Sequence, residues 1–231
     1  MDGGFGPRII FEIGGIPITE TVTNTWIIMI FLIIFSYVAG KNLSKIPKGF
    51  QGGVEALVDG IYGLVSQTMG KDKIGFAPYI GTLMIYLVFA NLLGLTSLRP
   101  PTADANTTMA LAFLTFFMIH GFGMKSKGVG GYLKGFTEPF FVMLPLNLIG
   151  ELATPISLGF RLFGNIVGGL IIMSLLYSGL GYASTLLGSS IPFLQTAIPV
   201  PLHIYFDVFS GVLQSFIFAM LTMVFVAMAI D

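Results

Sequence analysis

Long apolar runs separated by short polar clusters make up most of the chain, and within each run the spacing is helical rather than alternating. Val22–Ala39 is the first run long enough to cross a bilayer, with Trp26 near its start suited to the interface. Pro78–Leu98 and Thr107–Met124 are two further spans. Between them Arg99-Pro100-Pro101-Thr102-Ala103-Asp104-Ala105-Asn106 reads as a turn, its paired prolines stopping one helix and its Asp and Asn available to cap the next. Two longer runs follow, Glu138–Tyr177 and Ile191–Ile230, joined by a Gly/Ser-rich loop ending near Ser190. As one helix, Glu138–Tyr177 would run about 60 Å, roughly twice the hydrocarbon core. It must therefore tilt steeply, kink at Pro145 or Pro155, or lie partly in the membrane plane.

These elements predict an all-α polytopic membrane protein with about five membrane-embedded helices, the two long, strongly tilted ones forming a hairpin. The chain reads as a single membrane domain, 1–231, with spans at 22–39, 78–98 and 107–124 and long helices at 138–177 and 191–230. Two stretches differ in kind. Gly52–Gly70 is amphipathic, with Val54, Leu57, Val58, Ile61, Leu64, Val65 and Met69 at helical spacing among Glu55, Asp59, Ser66 and Gln67. It suits either the cytoplasmic membrane surface or the side of the bundle. Residues 1–21 form a Gly-rich external segment in which apolar alternation around Gly14-Gly15 suggests a small hairpin.

Composition agrees with the pattern: 55% of residues are hydrophobic and 10% charged, more apolar than one soluble core needs. A formal net charge of zero gives no reason to expect a nucleic-acid partner. Cysteine is absent, which excludes disulfides and thiolate metal sites. No early segment has the form of a cleaved signal peptide, so the first apolar run is expected to stay as an anchor. Of the 11 Lys and Arg, eight (Lys41, Lys45, Lys48, Lys71, Lys73, Lys125, Lys127, Lys134) fall on one side of this topology. Arg8 and Arg99 fall on the other, and Arg161 lies within the membrane. By the positive-inside rule the N-terminus is external and the C-terminus, at Asp231, cytoplasmic.

Arg161 is the residue that most needs explaining. A guanidinium in hydrocarbon costs between ~3 and more than ~10 kcal/mol, so it either snorkels, pairs inside the bundle, or serves an ion pathway or an anionic partner. Arg suits the last role because it keeps its proton in almost any setting. Ser157, Arg161, Asn165 and Gly168 share one helical face, and Gly164, Gly168 and Gly169 are small residues of the kind that mark close helix approach in lipid. In the last helix His203, Asp207, Gly211 and Gln214 form a polar stripe. Asp207 reads either as a protonated carboxyl bonded inside the bundle or as a proton-loading group in a hydrated crevice. His203 reads either as a wetted interfacial side chain or as a relay. Gln214 is the natural neutral partner for Arg161, its amide oxygen accepting from the guanidinium. Glu151, ten residues before Arg161, either faces water at the interface or lines an inner channel with Ser157 and Asn147 nearby. Asp104, Asn106 and Asn91 suit the outer side, the loop residues among them chiefly as caps and turn formers.

Ser157-Leu158-Gly159-Phe160-Arg161-Leu162-Phe163-Gly164-Asn165 resembles the signature of subunit a of F-type ATP synthases, the stator half of their ion-conducting motor. Gln214-Ser215-Phe216-Ile217-Phe218 with Leu221-Thr222 resembles that family's second signature, and Asn106–Gly131 its middle. The likeness covers most of Leu83–Asp231 in the family's order. It implies a channel subunit, not catalytic by itself and without a cofactor, in the plasma membrane of a bacterium. The implied partners are a rotating ring of c subunits facing Arg161 and the b subunits of a peripheral stalk. Two offset half-channels, an outer one near Asp207 and an inner one near Glu151, would pass H⁺ to and from the ring, and Na⁺ is the alternative ion. ATP chemistry would lie elsewhere, since the chain has no phosphate-binding glycine loop followed by Lys-Ser/Thr.

The resemblance also has departures. Where the family has an ionisable group nine residues after the arginine, this chain has Leu170, and where relatives often carry an acid shortly after Asn91 it has Gly94. The outer relay is then expected to rest on Asp207 with water, His203 or loop residues. The reading from another class is a self-contained secondary transporter holding an anionic substrate at Arg161. It would need a pair of related halves, and no strong internal repeat is present.

Overall fold

The computed structural model describes residues 7–41, 43–96, 98–137, 140–188 and 194–231. It is almost wholly helical. The one sheet among the described residues is the N-terminal hairpin, β1 (Ile9–Ile13) paired antiparallel with β2 (Ile16–Thr19). Its turn is Gly14-Gly15, both at positive φ (58° and 83°), the conformation that a two-residue turn between twisted strands demands and that glycine adopts without strain.

Among the described residues, five helical elements are long and apolar enough to cross a membrane: Glu20–Gly40, Lys71–Thr96, Ala105–Lys127, Phe141–Leu186 and Leu194–Ile230. The first is α1, and the amphipathic α2 (Phe50–Met69) comes after it. A 3₁₀ turn at Lys71–Phe76 then leads into α3 (Ala77–Leu92). Helix α4 (Ala105–Lys127) starts where Asp104 caps it, Oδ1 accepting from the Asn106 amide at 3.0 Å. The short α5 (Val129–Gly135) turns back along α4.

The first long helix, α6, runs Leu144–Leu186, past the expected end at Tyr177; Glu138 and Pro139 lie outside the described residues. Pro145 sits in its first turn, where a missing N–H costs nothing, and Pro155 lies within the helix. The Gly/Ser-rich stretch beyond Tyr177 is helical as far as Leu186, and its hydroxyls are satisfied by carbonyls of the same helix. Ser178 Oγ donates to Ser174 O at 3.0 Å, Ser184 Oγ to Leu180 O at 2.9 Å and Thr185 Oγ1 to Tyr182 O at 2.7 Å. The last run comprises α7 (Leu194–Ala197), α8 (Pro199–His203), a π-helical segment Ile204–Ser210, and α9 (Gly211–Ile230).

The core lies where α2, α3, α4 and α9 meet, around Val65, Met69, Ile80, Ile119, Ala219 and Met223, and continues toward α6 through Leu83, Leu87, Ala112, Leu158, Leu162 and Phe218. The buried positions of α2 (Ile61, Val65, Met69) pack on this core, while Leu57, Val58 and Tyr62 stay exposed. Small residues set the spacing between helices, as lipid-embedded bundles require. A β-carbon on Gly159 would stand 2.6 Å from Met109 Sδ and 3.4 Å from Met109 Cα, so α6 and α4 touch there because the side chain is absent.

Polar contacts gather at the two ends. At one, Thr21 Oγ1 donates to Asp104 Oδ2 (2.9 Å), Asn24 Nδ2 to Arg99 O (2.9 Å), and Arg99 Nε lies 3.9 Å from Glu20 Oε1. At the other, Lys73 pairs with Asp231, and Ser126 Oγ donates to Ile230 O at 2.8 Å. Between them Asn91, 2% exposed, donates to Gly211 O and Ser215 Oγ (2.9 Å each) and accepts from Thr102 Oγ1 (2.6 Å), fastening α3 to α9 with every bond satisfied inside the bundle.

Candidate functional site

The anticipated residues fall into three places rather than one. The first is at the end of the bundle that holds Arg99 and Asp104. There the π-helical segment, a widened turn of a kind often found at functional sites, carries Asp207. Asp207 Oδ2 lies 2.5 Å from His203 Nδ1, and His203 Nε2 lies 3.0 Å from Tyr177 Oη on α6. A carboxylate, an imidazole and a phenol thus form a continuous chain across the α6–α8 contact, with the Asp207 side chain 15% and the His203 side chain 35% exposed. Gly94 faces the same carboxylate: a β-carbon there would stand 3.5 Å from Asp207 Oδ1. Tyr177 is seven residues beyond Leu170, hence on the same face of α6 two turns along.

The stripe read along the last helix stays against the end of α3 as far as Gly211, with Asp207 beside Gly94 and Gly211 beside Asn91. His203 and Asp207 stay paired at the end of the bundle, whereas Gly211 faces Asn91, whose Cβ would lie 3.0 Å from a β-carbon on it. Gln214 is buried in the core, 6% exposed, and its Nε2 has no hydrogen-bond partner among the described residues.

The second place is the outer face of α6. Its buried positions, Leu158, Gly159, Leu162, Ile166, Gly169 and Met173, define the side that meets the bundle. Ser157, Arg161 and Gly164 lie on the other side and are exposed, beside exposed Ile156 and Phe160. No ion pair or hydrogen bond to Arg161 forms among the described residues. The expected bond from Arg161 to Gln214 is therefore not made: Arg161 is exposed on α6, whereas Gln214 is buried in the core. Asn165 instead pairs reciprocally with Ser210, Nδ2 donating to Ser210 Oγ at 2.8 Å and Oδ1 accepting from it at 3.1 Å. Of the three glycines expected at helix contacts, Gly169 meets Phe206 (3.4 Å to Cδ1 from a β-carbon built there), but Gly164 and Gly168 face open space on the arginine side.

The third place is at the Lys127 end. A cleft of about 610 Å³ is lined by Lys127, Tyr132, Asn147, Glu151 and Thr154 together with apolar residues of α4 and α9. Glu151 Oε2 lies 4.0 Å from His120 Nε2, and His120 Nδ1 lies 2.6 Å from Tyr132 Oη. Burial and the nearby Glu151 charge both push the Tyr132 phenol above its ordinary value. Ser157, expected beside Glu151, lies instead on the exposed Arg161 face.

Sequence reasoning finds Asp207, His203 and Glu151 but passes over Tyr177, His120 and Tyr132. A lone tyrosine or histidine in an apolar helix carries no spacing signal, and these partners come together only through contacts between helices.

The sequence profile of the family described as ATP synthase A chain matches residues 22–227. The chain is 38% identical to the ATP synthase subunit a, sodium ion specific, of Propionigenium modestum, over 97% of this chain and 78% of that one. It is 37% identical to ATP synthase subunit a of Moorella thermoacetica (96% and 95% covered) and 36% identical to ATP synthase subunit a 2 of a Bradyrhizobium species (96% and 93%). With a match spanning nearly its whole length, the chain belongs to the ATP synthase subunit a family, the membrane-embedded ion-channel subunit of that complex, non-catalytic by itself.

Proposed function

We propose that this chain is the proton-translocating stator of an F-type ATP synthase, with Arg161 facing a ring of c subunits and two half-channels opening on opposite sides of the membrane. The observation that carries the reading is the Arg161 face. A permanent cation stands exposed on an apolar helix with no acid of its own chain in ion-pair reach among the described residues, and open glycines lie at 164 and 168. Such a face is costly in lipid and favourable against a partner that brings both a helix surface and a carboxylate. At about 4 Å and an effective dielectric near 20, that pairing is worth roughly 4 kcal/mol, or about 3 pK units on the passing carboxyl.

The cycle is a consequence of these charges. A proton taken in on the outer side through Tyr177, His203 and Asp207 neutralises a ring carboxylate, which can then enter lipid. After rotation the carboxyl meets the inner cleft at Glu151, and Arg161 favours its ionisation. The same fixed charge repels a proton attempting to pass directly between the half-channels. Each charge crossing the membrane contributes about 2.3 kcal/mol per 100 mV. The two long helices would lie tilted as a hairpin along the ring, and the b subunits would hold the chain against rotation. Eight Lys and Arg on one side support a cytoplasmic C-terminus and an external N-terminus in a bacterial plasma membrane.

The ion is read as H⁺ because the outer chain of phenol, imidazole and carboxylate exchanges protons, whereas Na⁺ would favour a cage of oxygens. Pumping in sodium-free buffer tests this, and a strict Na⁺ requirement would assign the alternative that the Propionigenium relative represents. Replacing Arg161 by Ala in the assembled complex is expected to abolish ATP-driven pumping. Undiminished pumping, or uptake of an organic anion by vesicles holding this chain alone, would overturn the stator reading.

A further inference from the structure

The cleft at the Lys127 end contains a pairing that the proposed cycle leaves unused. His120 stands behind the cleft wall, its ring packed edge-on against Phe116 at 4.0 Å between centroids. Its Nε2 is shielded from solvent and without a hydrogen-bond partner among the described residues, yet points toward Glu151 Oε2 at 4.0 Å. A buried ring nitrogen left unbonded is costly, and one aimed at a carboxylate a little beyond bonding distance is suited to a contact that forms and breaks.

The arrangement is built rather than incidental. Tyr132 reaches His120 because α5 folds back over α4 at Gly123, where a β-carbon would stand 2.6 Å from Tyr132 Cε2. Any larger residue at 123 would push the phenol off the imidazole. The 2.6 Å bond between Tyr132 Oη and His120 Nδ1 then fixes the ring so that Nε2 faces the acid. The charged or titratable groups around the pair are Glu151 from α6, Tyr132 from α5 and Lys127 from α4. The α9 residues lining the cleft, Phe225, Met228 and Ala229, bring none.

We propose that His120 is a second proton-exchanging group of the inner half-channel, paired with Glu151 and held in the productive orientation by Tyr132. This rests on the reading of the Glu151 cleft as that half-channel. When Nδ1–H donates to the Tyr132 oxygen, Nε2 is the bare nitrogen. A proton leaving the Glu151 carboxyl breaks its O–H bond and forms an N–H bond at Nε2, giving an imidazolium beside a carboxylate with no change in net charge. As the contact opens, water entering from the cleft beside Glu151 accepts the proton from Nε2 and restores the neutral ring; in the pumping direction the same steps run backward. The transfer requires the two groups to close by about 1 Å, to ordinary hydrogen-bonding distance. Imidazole suits the task because one ring nitrogen can accept a proton while the other keeps its own.

The test uses the whole ATP synthase in inverted membrane vesicles, with ATP-driven proton pumping followed while the pH on the exposed, cytoplasmic face is varied. The wild type is expected to show a limb in its pH profile that depends on the His120 ring. His120→Asn, which keeps a polar side chain but cannot titrate, is expected to lose that limb and pump severalfold more slowly, with the complex still assembled. Tyr132→Phe keeps the imidazole but releases Nδ1, and is expected to move the midpoint of the limb. If His120→Asn does not assemble, the Tyr132→Phe midpoint decides the matter alone. A wild-type profile from either assembled variant overturns the proposal. Arg161→Ala in the same vesicles separates the two failures: if it abolishes pumping while His120→Asn leaves the profile unchanged, only the role of His120 falls.

Discussion

His203 Nδ1 lies 2.5 Å from Asp207 Oδ2 across the π-helical turn of the last membrane helix, and the opposite ring nitrogen is bound to Tyr177 of α6. One imidazole therefore links a carboxylate and a phenol on different helices. The three groups form one hydrogen-bonded chain joining α6 to the last run of helices.

If protons pass along it, its members should not be equivalent. Asp207→Asn removes the carboxylate of the chain and is expected to cut ATP-driven pumping by about 10²-fold, the scale on which a positioned acid or base acts. His203→Ala leaves the carboxylate in place and should cost less, and Tyr177→Phe least of all. Pumping by purified complexes in vesicles would rank them. Equal, undiminished rates for all three would remove this chain from the pathway.

The contact at Gly159 leads to a packing prediction. Because a β-carbon there meets both the sulfur and the Cα of Met109, Gly159→Leu is expected to force α6 and α4 apart at a cost of about 1–3 kcal/mol. Met109→Ala opens space for part of the added side chain and should recover some of the loss. Thermal melting of the purified complex, scored by retention of this subunit, would show both effects, and a Gly159→Leu complex as stable as wild type would contradict the close approach.

How far the sequence foretells these features depends on how local their causes are. The spans, the Asp104 cap and the Gly14-Gly15 hairpin are legible because apolar period, a capping side chain and a glycine pair act within a few residues. The extension of α6 to Leu186 is not, since Ser178, Gly179, Gly181 and Ser184 have the composition of a loop and no local signal marks them as helical. The pairing of Gln214 with Arg161 is missed for a different reason: Gln214 is buried in the core and Arg161 is on the exposed side of α6, and a period read along one helix does not say which side of a neighbouring helix it meets. Tyr177 and His120 owe their roles to partners on other helices, and no single stretch of sequence announces such partners.

The phenol of Tyr132 offers a direct check on the inner cleft. Burial and the negative charge of Glu151 both favour the neutral phenol, so its titration lies above the ordinary value of about 10. Glu151→Gln removes the charge while keeping the shape, and is expected to lower the Tyr132 midpoint toward that value. NMR of ¹³C-labelled tyrosine, with Tyr132→Phe used to assign the signal, would measure it. The sign also fixes a stability effect. The unfolded chain releases this proton at lower pH than the folded one, so the contribution of Tyr132 is complete below about pH 10 and is lost as pH rises through the folded midpoint. Glu151→Gln should narrow that alkaline window, and an unmoved midpoint would mean that the carboxylate does not face the phenol across the cleft.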